Sequence, residues 1–137
     1  MCETVATPKA VFNTELAQKF GADEFGMRQY VLIVLKTGPN KLPAGPERDA
    51  MFKGHFANIN RLATEEKLAY AGPLDGVDGR RGIFILAVAD IDEAKKLVAT
   101  DPVIIQGEMV AEYHKHYGSA ALMGVNATHK TVAKKSF

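Results

Sequence analysis

Apolar residues fall along this chain in two rhythms, unbroken runs and recurrences at three and four, and their order predicts a fold. Residues 28–36, Arg28-Gln29-Tyr30-Val31-Leu32-Ile33-Val34-Leu35-Lys36, are rich in β-branched side chains and apolar at consecutive positions, which predicts a strand buried on both faces. Thr37-Gly38-Pro39-Asn40 and Pro43-Ala44-Gly45-Pro46 cannot continue it and predict a loop. From Pro46, favoured at a first helical position, to about Lys67, the residues Phe52, Phe56, Ile59, Leu62 and Ala63 recur at three and four, as in an amphipathic helix. Leu68-Ala69-Tyr70-Ala71 predicts a short second strand ended by Gly72-Pro73, and the Asp-Gly pairs at 75–76 and 78–79 predict a hairpin loop. Residues 82–89 form a third strand, apolar on both faces. Asp90-Ile91-Asp92-Glu93 resembles a capping box opening a second helix with Ile91, Ala94, Leu97 and Val98 as its stripe, and Pro102 takes Asp101 out of helical geometry and closes it. Residues 108–117 alternate, with Met109, Ala111 and Tyr113 on one side and Val110, Glu112, His114 and His116 on the other, a fourth strand with one polar face.

The order β-α-β-β-α-β is the α+β, ferredoxin-like split unit: an antiparallel sheet with two helices on one face and the first and third strands central. Both central strands are apolar at every position, so the face without helices also needs cover. A second copy of the chain is the simplest cover, which predicts a homodimer in the form of a dimeric α/β barrel. The domain occupies 28–117. Residues 1–27 form an N-terminal arm and a short helix through Phe20, capped by Asn13 or Thr14 and stopped by Gly21; residues 118–137 form a tail that packs locally and then frays.

Composition narrows the function. The 137 residues, 47% apolar, suffice for one domain with a core and not for two. A net charge of +1 gives no field to draw nucleic acid or a membrane surface, and the longest apolar runs, 30–35 and 83–89, fall far short of the roughly 20 residues of a membrane span. The lone Cys2 excludes an internal disulfide and a cysteine-based metal site. No secretion signal opens the sequence, so a cytoplasmic location is expected; Cys2 directly after Met1 leaves an exported or lipid-anchored protein lacking its signal as the alternative. No phosphate-cradling Gly-rich motif and no nucleophile turn occur, Asp75-Gly76-Val77-Asp78-Gly79 has too few oxygen ligands for calcium, and the triplet Asn126-Ala127-Thr128 is of a kind that arises by chance.

Topology brings the start of the first helix, the hairpin and the handover to the fourth strand to one end of the sheet. There His55, Asp75 and Asp101 form a candidate acid–base site. His55 is three from Phe52, four from Ile59 and seven from Leu62, so it lies on the inward stripe, where an imidazole needs a partner. A carboxylate accepting from one ring nitrogen fixes the tautomer and leaves the other nitrogen to move a proton. Asp101, held before a proline, suits this better than Asp75 among its glycines. The same pair could equally be a hydrogen-bonded structural feature at the edge of the core. Arg80 and Arg81 are candidates for binding a substrate carboxylate, or simply a solvated basic hairpin. His114 and His116 with Glu112 are too few for a metal site and are expected to line the rim of the interior or a dimer edge, in contact with ligand. No metal and no cofactor is expected.

Gly54-His55, Ala71-Gly72-Pro73, and Asp101-Pro102 with Gly107 resemble the YciI-like, or YCII-related, family of dimeric α/β-barrel proteins, over residues 28–117. Glu65-Glu66-Lys67-Leu68 departs from it, since members frequently carry a glycine before the second strand. The resemblance implies an active site built on His55 and Asp101. Muconolactone isomerase, of related fold, and members resembling a chloro-hydroxymuconate dehydrochlorinase imply cofactor-independent proton transfer or elimination on a small carbonyl acid. The expected function is therefore a lyase or isomerase, with a non-catalytic module holding a small ligand as the alternative.

Overall fold

The computed structural model describes residues 9–136. In chain order the elements are α1 (Thr14–Phe20), β1 (Met27–Thr37), α2 (Pro46–Thr64), β2 (Leu68–Pro73), β3 (Arg80–Leu86), α3 (Ile91–Val98), α4 (Pro102–Ile105), β4 (Met109–Ser119) and α5 (Val125–Val132), with single 3₁₀ turns at Val77–Gly79 and Ala120–Gly124. The four strands pair antiparallel in the order β2-β3-β1-β4, so β1 and β3 are central, as their apolar runs require. This is the α+β, ferredoxin-like arrangement.

The pleat sorts each strand's residues between two faces. Val31, Ile33 and Leu35 of β1 and Phe84 and Leu86 of β3 are buried with Met51 and Leu62 of α2 and Ala94 and Val98 of α3 in one core. Their alternates, Leu32, Val34, Ile83 and Ile85, point to the other face and are half-buried. Leu32 stands opposite His114, and Val34 opposite Glu112, so the polar row of β4 borders this apolar face.

Local chemistry accounts for the ends. Asn13 caps α1 by accepting the Leu16 N–H, and Asp90 caps α3 by accepting the Glu93 N–H at 2.7 Å. The helix α2 stops three residues before the sequence pattern suggests. Glu66, at φ 59°, turns left-handed, and Glu66 N–H and Lys67 N–H reach back to the carbonyls of Ala63 and Leu62 in a Schellman motif.

Three expectations need correction. The strand β2 does not end at Ala71: Gly72 and Pro73 pair with Ile83 and Gly82, which a proline can do because β2 is an edge strand. Phe56, assigned by spacing to the inward stripe of α2, is 55% exposed, because it sits about 100° round the helix from its neighbour His55 and both cannot face the core. The C-terminal segment is helical through Val132. Ala120 is buried, Asn126 donates its side-chain amide to the Leu68 carbonyl, and Gly124 packs against the Phe20 ring, so α1 and α5 gather where β1 and β2 begin. Met1, Cys2 and the rest of 1–8 lie outside the described residues. Among those described, no helix is long and apolar enough to cross a membrane.

Candidate active site

His55 lies mid-way along α2 and is only 8% exposed, and Asp101 is fully buried between α3 and α4. His55 Nδ1 is 2.7 Å from Asp101 Oδ2. A carboxylate only accepts, so Nδ1 carries a proton and donates it, and Nε2 takes no part in the bond. The other carboxylate oxygen, Oδ1, accepts the Val103 N–H at 3.0 Å. Asp101 is thus the N-cap of α4, with Pro102 at that helix's first position, and its rotamer is fixed from two directions. The helix α4 has one turn and no periodicity, and the sequence pattern does not reveal it.

Gly54 explains how α2 and α4 come close enough for this bond. A Cβ on Gly54 would lie 2.9 Å from Pro102 Cγ, so only glycine lets the turn holding Asp101 settle against α2. Three aromatic rings surround the imidazole. Phe84 stacks at a centroid distance of 6.1 Å, Phe52 meets it edge-on at 6.2 Å, and the exposed Phe56 lies at 5.3 Å. The His55–Asp101 pair therefore sits among flat, apolar walls.

About two turns from His55 towards the start of α2 lies a second polar cluster, built on a residue that sequence reasoning passed over. Glu108, just before β4, is buried; its Oε1 accepts from Arg48 Nη1 at 2.6 Å, and its Oε2 accepts the Leu42 N–H at 3.1 Å. Arg81 Nη2 stands 3.9 Å from the same Oε1. Desolvation raises the Glu108 pKa, but the Arg48 hydrogen bond, the Leu42 N–H and the charges of Arg48 and Arg81 outweigh it and hold the carboxyl below its usual range. Arg48 also bonds the Leu42 carbonyl and lies 4.9 Å over the Phe52 ring, which links this cluster to His55. Its members are 60 residues apart in the chain, and no local motif announces them.

The remaining sequence candidates lie apart. Asp75 is exposed, and its carboxylate accepts the Val77 N–H of its own loop; no hydrogen bond joins it to His55, because the glycines around it favour a local turn. Arg80 is half-exposed and pairs with Asp78 at 3.4 Å within the hairpin. His114 and His116 lie on the opposite face of the sheet from His55, His114 beside Glu112 at 3.4 Å and His116 near the Tyr30 ring. Among the described residues no group of three His, Cys, Asp or Glu is placed to hold a metal ion. A separate groove lies between α1, the end of α2 and α5, lined by residues such as Leu16, Phe20, Ala63 and Met123. The candidate pair His55 and Asp101 is not among its lining residues.

The YCII-related domain matches residues 29–114, which include the whole of this site. The chain belongs to that family. No curated protein matches it. Among solved structures it is similar to 5-chloro-2-hydroxyhydroquinone dehydrochlorinase from Burkholderia phenoliruptrix AC1100, in complex with 2,5-dihydroxybenzoquinone, at 18% identity and a TM-score of 0.41, covering 63% of this chain and 90% of that one. Within the YCII-related domain, Gly54 with His55 on α2 and Asp101 with Pro102 at α4 form one packed unit, the glycine serving the proline and the histidine serving the aspartate.

Proposed function

We propose that the protein is a cofactor-independent lyase or isomerase in which His55 moves a proton on a small carbonyl compound and Asp101 orients it, working as a homodimer. The observation that carries this is the 2.7 Å bond from His55 Nδ1 to the buried Asp101, which leaves Nε2 as the basic nitrogen amid aromatic walls. In the step, Nε2 takes the proton from a carbon next to a carbonyl, and the C–H electron pair becomes the C=C bond of an enolate. In isomerisation the imidazolium returns the proton to another carbon of the conjugated system. In elimination an anionic group leaves the β-carbon with its bonding pair. The Asp101 carboxylate balances the transient charge on the ring.

The homodimer is supported by the half-buried apolar row Leu32, Val34, Ile83 and Ile85, which one chain leaves without a covering layer. Light scattering is expected to give twice the chain mass, and Leu32→Glu to give the chain mass alone. For the chemistry, incubation with small carbonyl acids in D₂O is expected to show loss of one C–H proton signal, abolished in His55→Gln with the thermal melt retained. Ligands that bind and are recovered without exchange would instead favour the non-catalytic binding module.

A further inference from the structure

The groove between α1, the end of α2 and α5 has a volume of about 930 Å³, within the roughly 300–1,000 Å³ of small-molecule sites. α1, α5 and the turn before α5 come from chain outside residues 29–114, so the YCII-related domain does not account for this groove. Its walls are held in place from behind. The Phe20 carbonyl accepts from Arg28 Nη1 at 2.9 Å, and Asn126 donates to the Leu68 carbonyl at 2.9 Å. A Cβ on Gly124 would stand 3.0 Å from Phe20 Cζ, so α1 closes directly on the turn that leads into α5. The lining joins apolar side chains, among them Leu16, Phe20 and Met123, to the cations Lys19 and Lys130, with Glu66 as the one carboxylate among the described residues. Leu16 is 44% exposed and Val132, on the facing wall, 73%, so apolar surface is turned to water here. Neither lysine meets a carboxylate within 4 Å among the described residues; the lysine ion pair they contain is Lys67 with Glu93.

We infer that this groove binds a small, single-tailed anionic amphiphile, its tail on the apolar lining and its head among the lysine ammonium groups. Apolar walls turned to water gain by covering a tail, and two cations against one carboxylate leave the lining with an excess of positive charge that an anionic head balances. Lysine suits that task, because its ammonium is a point charge on a flexible stem that follows a head group without demanding one geometry. The same charges disfavour a second copy of the chain as the occupant. A two-fold axis through the groove would set Lys19 and Lys130 against their own equivalents, and like charges facing across an interface oppose association. The inference is independent of the chemistry at His55.

Decanoate, decanol and decylamine share one tail and differ in head charge, and serve as probes titrated into the full chain with backbone amide signals followed by NMR. Wild type is expected to bind decanoate at least ten-fold more tightly than decanol and decylamine most weakly, with shifts confined to α1, residues 63–66 and residues 120–132. Lys19→Glu with Lys130→Glu, both on exposed side chains, is expected to reverse the order of decanoate and decylamine. Ala127→Trp, which fills the groove from its exposed wall, is expected to weaken decanoate at least ten-fold with the thermal melt retained. No binding of any probe, equal binding of all three, shifts centred on His55, or an unchanged order in the double variant would each overturn the inference. Contacts between residues 1–8 and the groove that survive saturating decanoate would make the chain itself the occupant. Co-sedimentation with phosphatidylglycerol vesicles that decanoate fails to displace would make a lipid surface the partner, and either result would equally overturn it.

Discussion

His55 and Asp101 are 46 residues apart in the chain, and Nδ1 of the one lies 2.7 Å from Oδ2 of the other with both side chains withdrawn from water. The contact depends on a second task of Asp101. Its other oxygen caps α4 through the Val103 N–H, so the carboxylate is held from a second direction. Orientation of the His55 ring and the start of a helix thus depend on the two oxygens of one carboxylate.

Substitutions at Asp101 separate these tasks. Asp101→Ala removes the cap and leaves the His55 Nδ1–H without an acceptor in the interior. A lost cap costs about 1 kcal/mol and an unsatisfied buried donor about 1–3, for a total of about 2–4 kcal/mol. Asp101→Asn can keep the cap, since asparagine caps as well as aspartate, and is expected to cost about 1 kcal/mol while still abolishing proton exchange. Urea unfolding midpoints read the stability difference, and equal losses in both variants would contradict the double role.

Gly54→Ala tests the approach of α2 to α4. Alanine gains up to about 1 kcal/mol of helix propensity, but its methyl would stand 2.9 Å from the rigid Pro102 ring, and overpacking of that kind costs about 1–3 kcal/mol. The expected outcome is a net loss of about 1 kcal/mol, with Pro102 and Asp101 pushed from the imidazole and a change in the His55 ring signals by NMR. Unchanged His55 signals would show that the pair does not depend on this contact.

How far the sequence carried the fold can be read from single residues. The alternation hidden in the apolar runs of β1 and β3 was legible because a strand with both faces apolar has few places to go but the centre of a sheet. His55 was legible through its spacing to Phe52, Ile59 and Leu62, and Asp101 through the proline after it. Phe56 was not, since three-and-four spacing admits residues at the margin of a stripe, and the neighbouring histidine decided which of them faced inward. Glu108 was not either: its partners Arg48 and Leu42 reach it only through the return of β4 alongside β1, a contact with no local signature. The short helix α4 follows from tertiary packing on Gly54, which a one-dimensional period cannot carry.

The end of α2 offers a change expected to stabilise. Glu66 holds φ 59° at the residue after the C-cap, where a side chain crowds the backbone at a cost of about 1–2 kcal/mol. Glu66→Gly relieves this and gives back roughly 0.5–1 kcal/mol through the greater freedom of glycine in the unfolded chain. The expected gain is about 0.5–1 kcal/mol, seen as a rise of a few degrees in Tm with the Schellman bonds of Ala63 and Leu62 kept. A fall in Tm would mean that the Glu66 side chain makes a compensating interaction.

Acid stability follows from Glu108. Burial raises its pKa, and the Arg48 bond, the Leu42 N–H and the nearby guanidinium charges more than reverse this, so the folded value lies below the ordinary 4.5. A depressed carboxylate means that the unfolded chain binds the proton more readily, so stability rises with pH across that window. The contribution is therefore complete above about pH 4.5 and is lost as pH falls through the folded value. Glu108→Gln cannot titrate and leaves Arg48 without its anion, which is expected to cost about 1–3 kcal/mol at neutral pH, part of the charge being relieved by the partial exposure of Arg48. Below pH 4.5 wild type should lose stability faster than the variant, so the two unfolding curves converge on acidification. Parallel curves down to pH 3 would mean that Glu108 is not the carboxylate whose protonation loosens the start of β4.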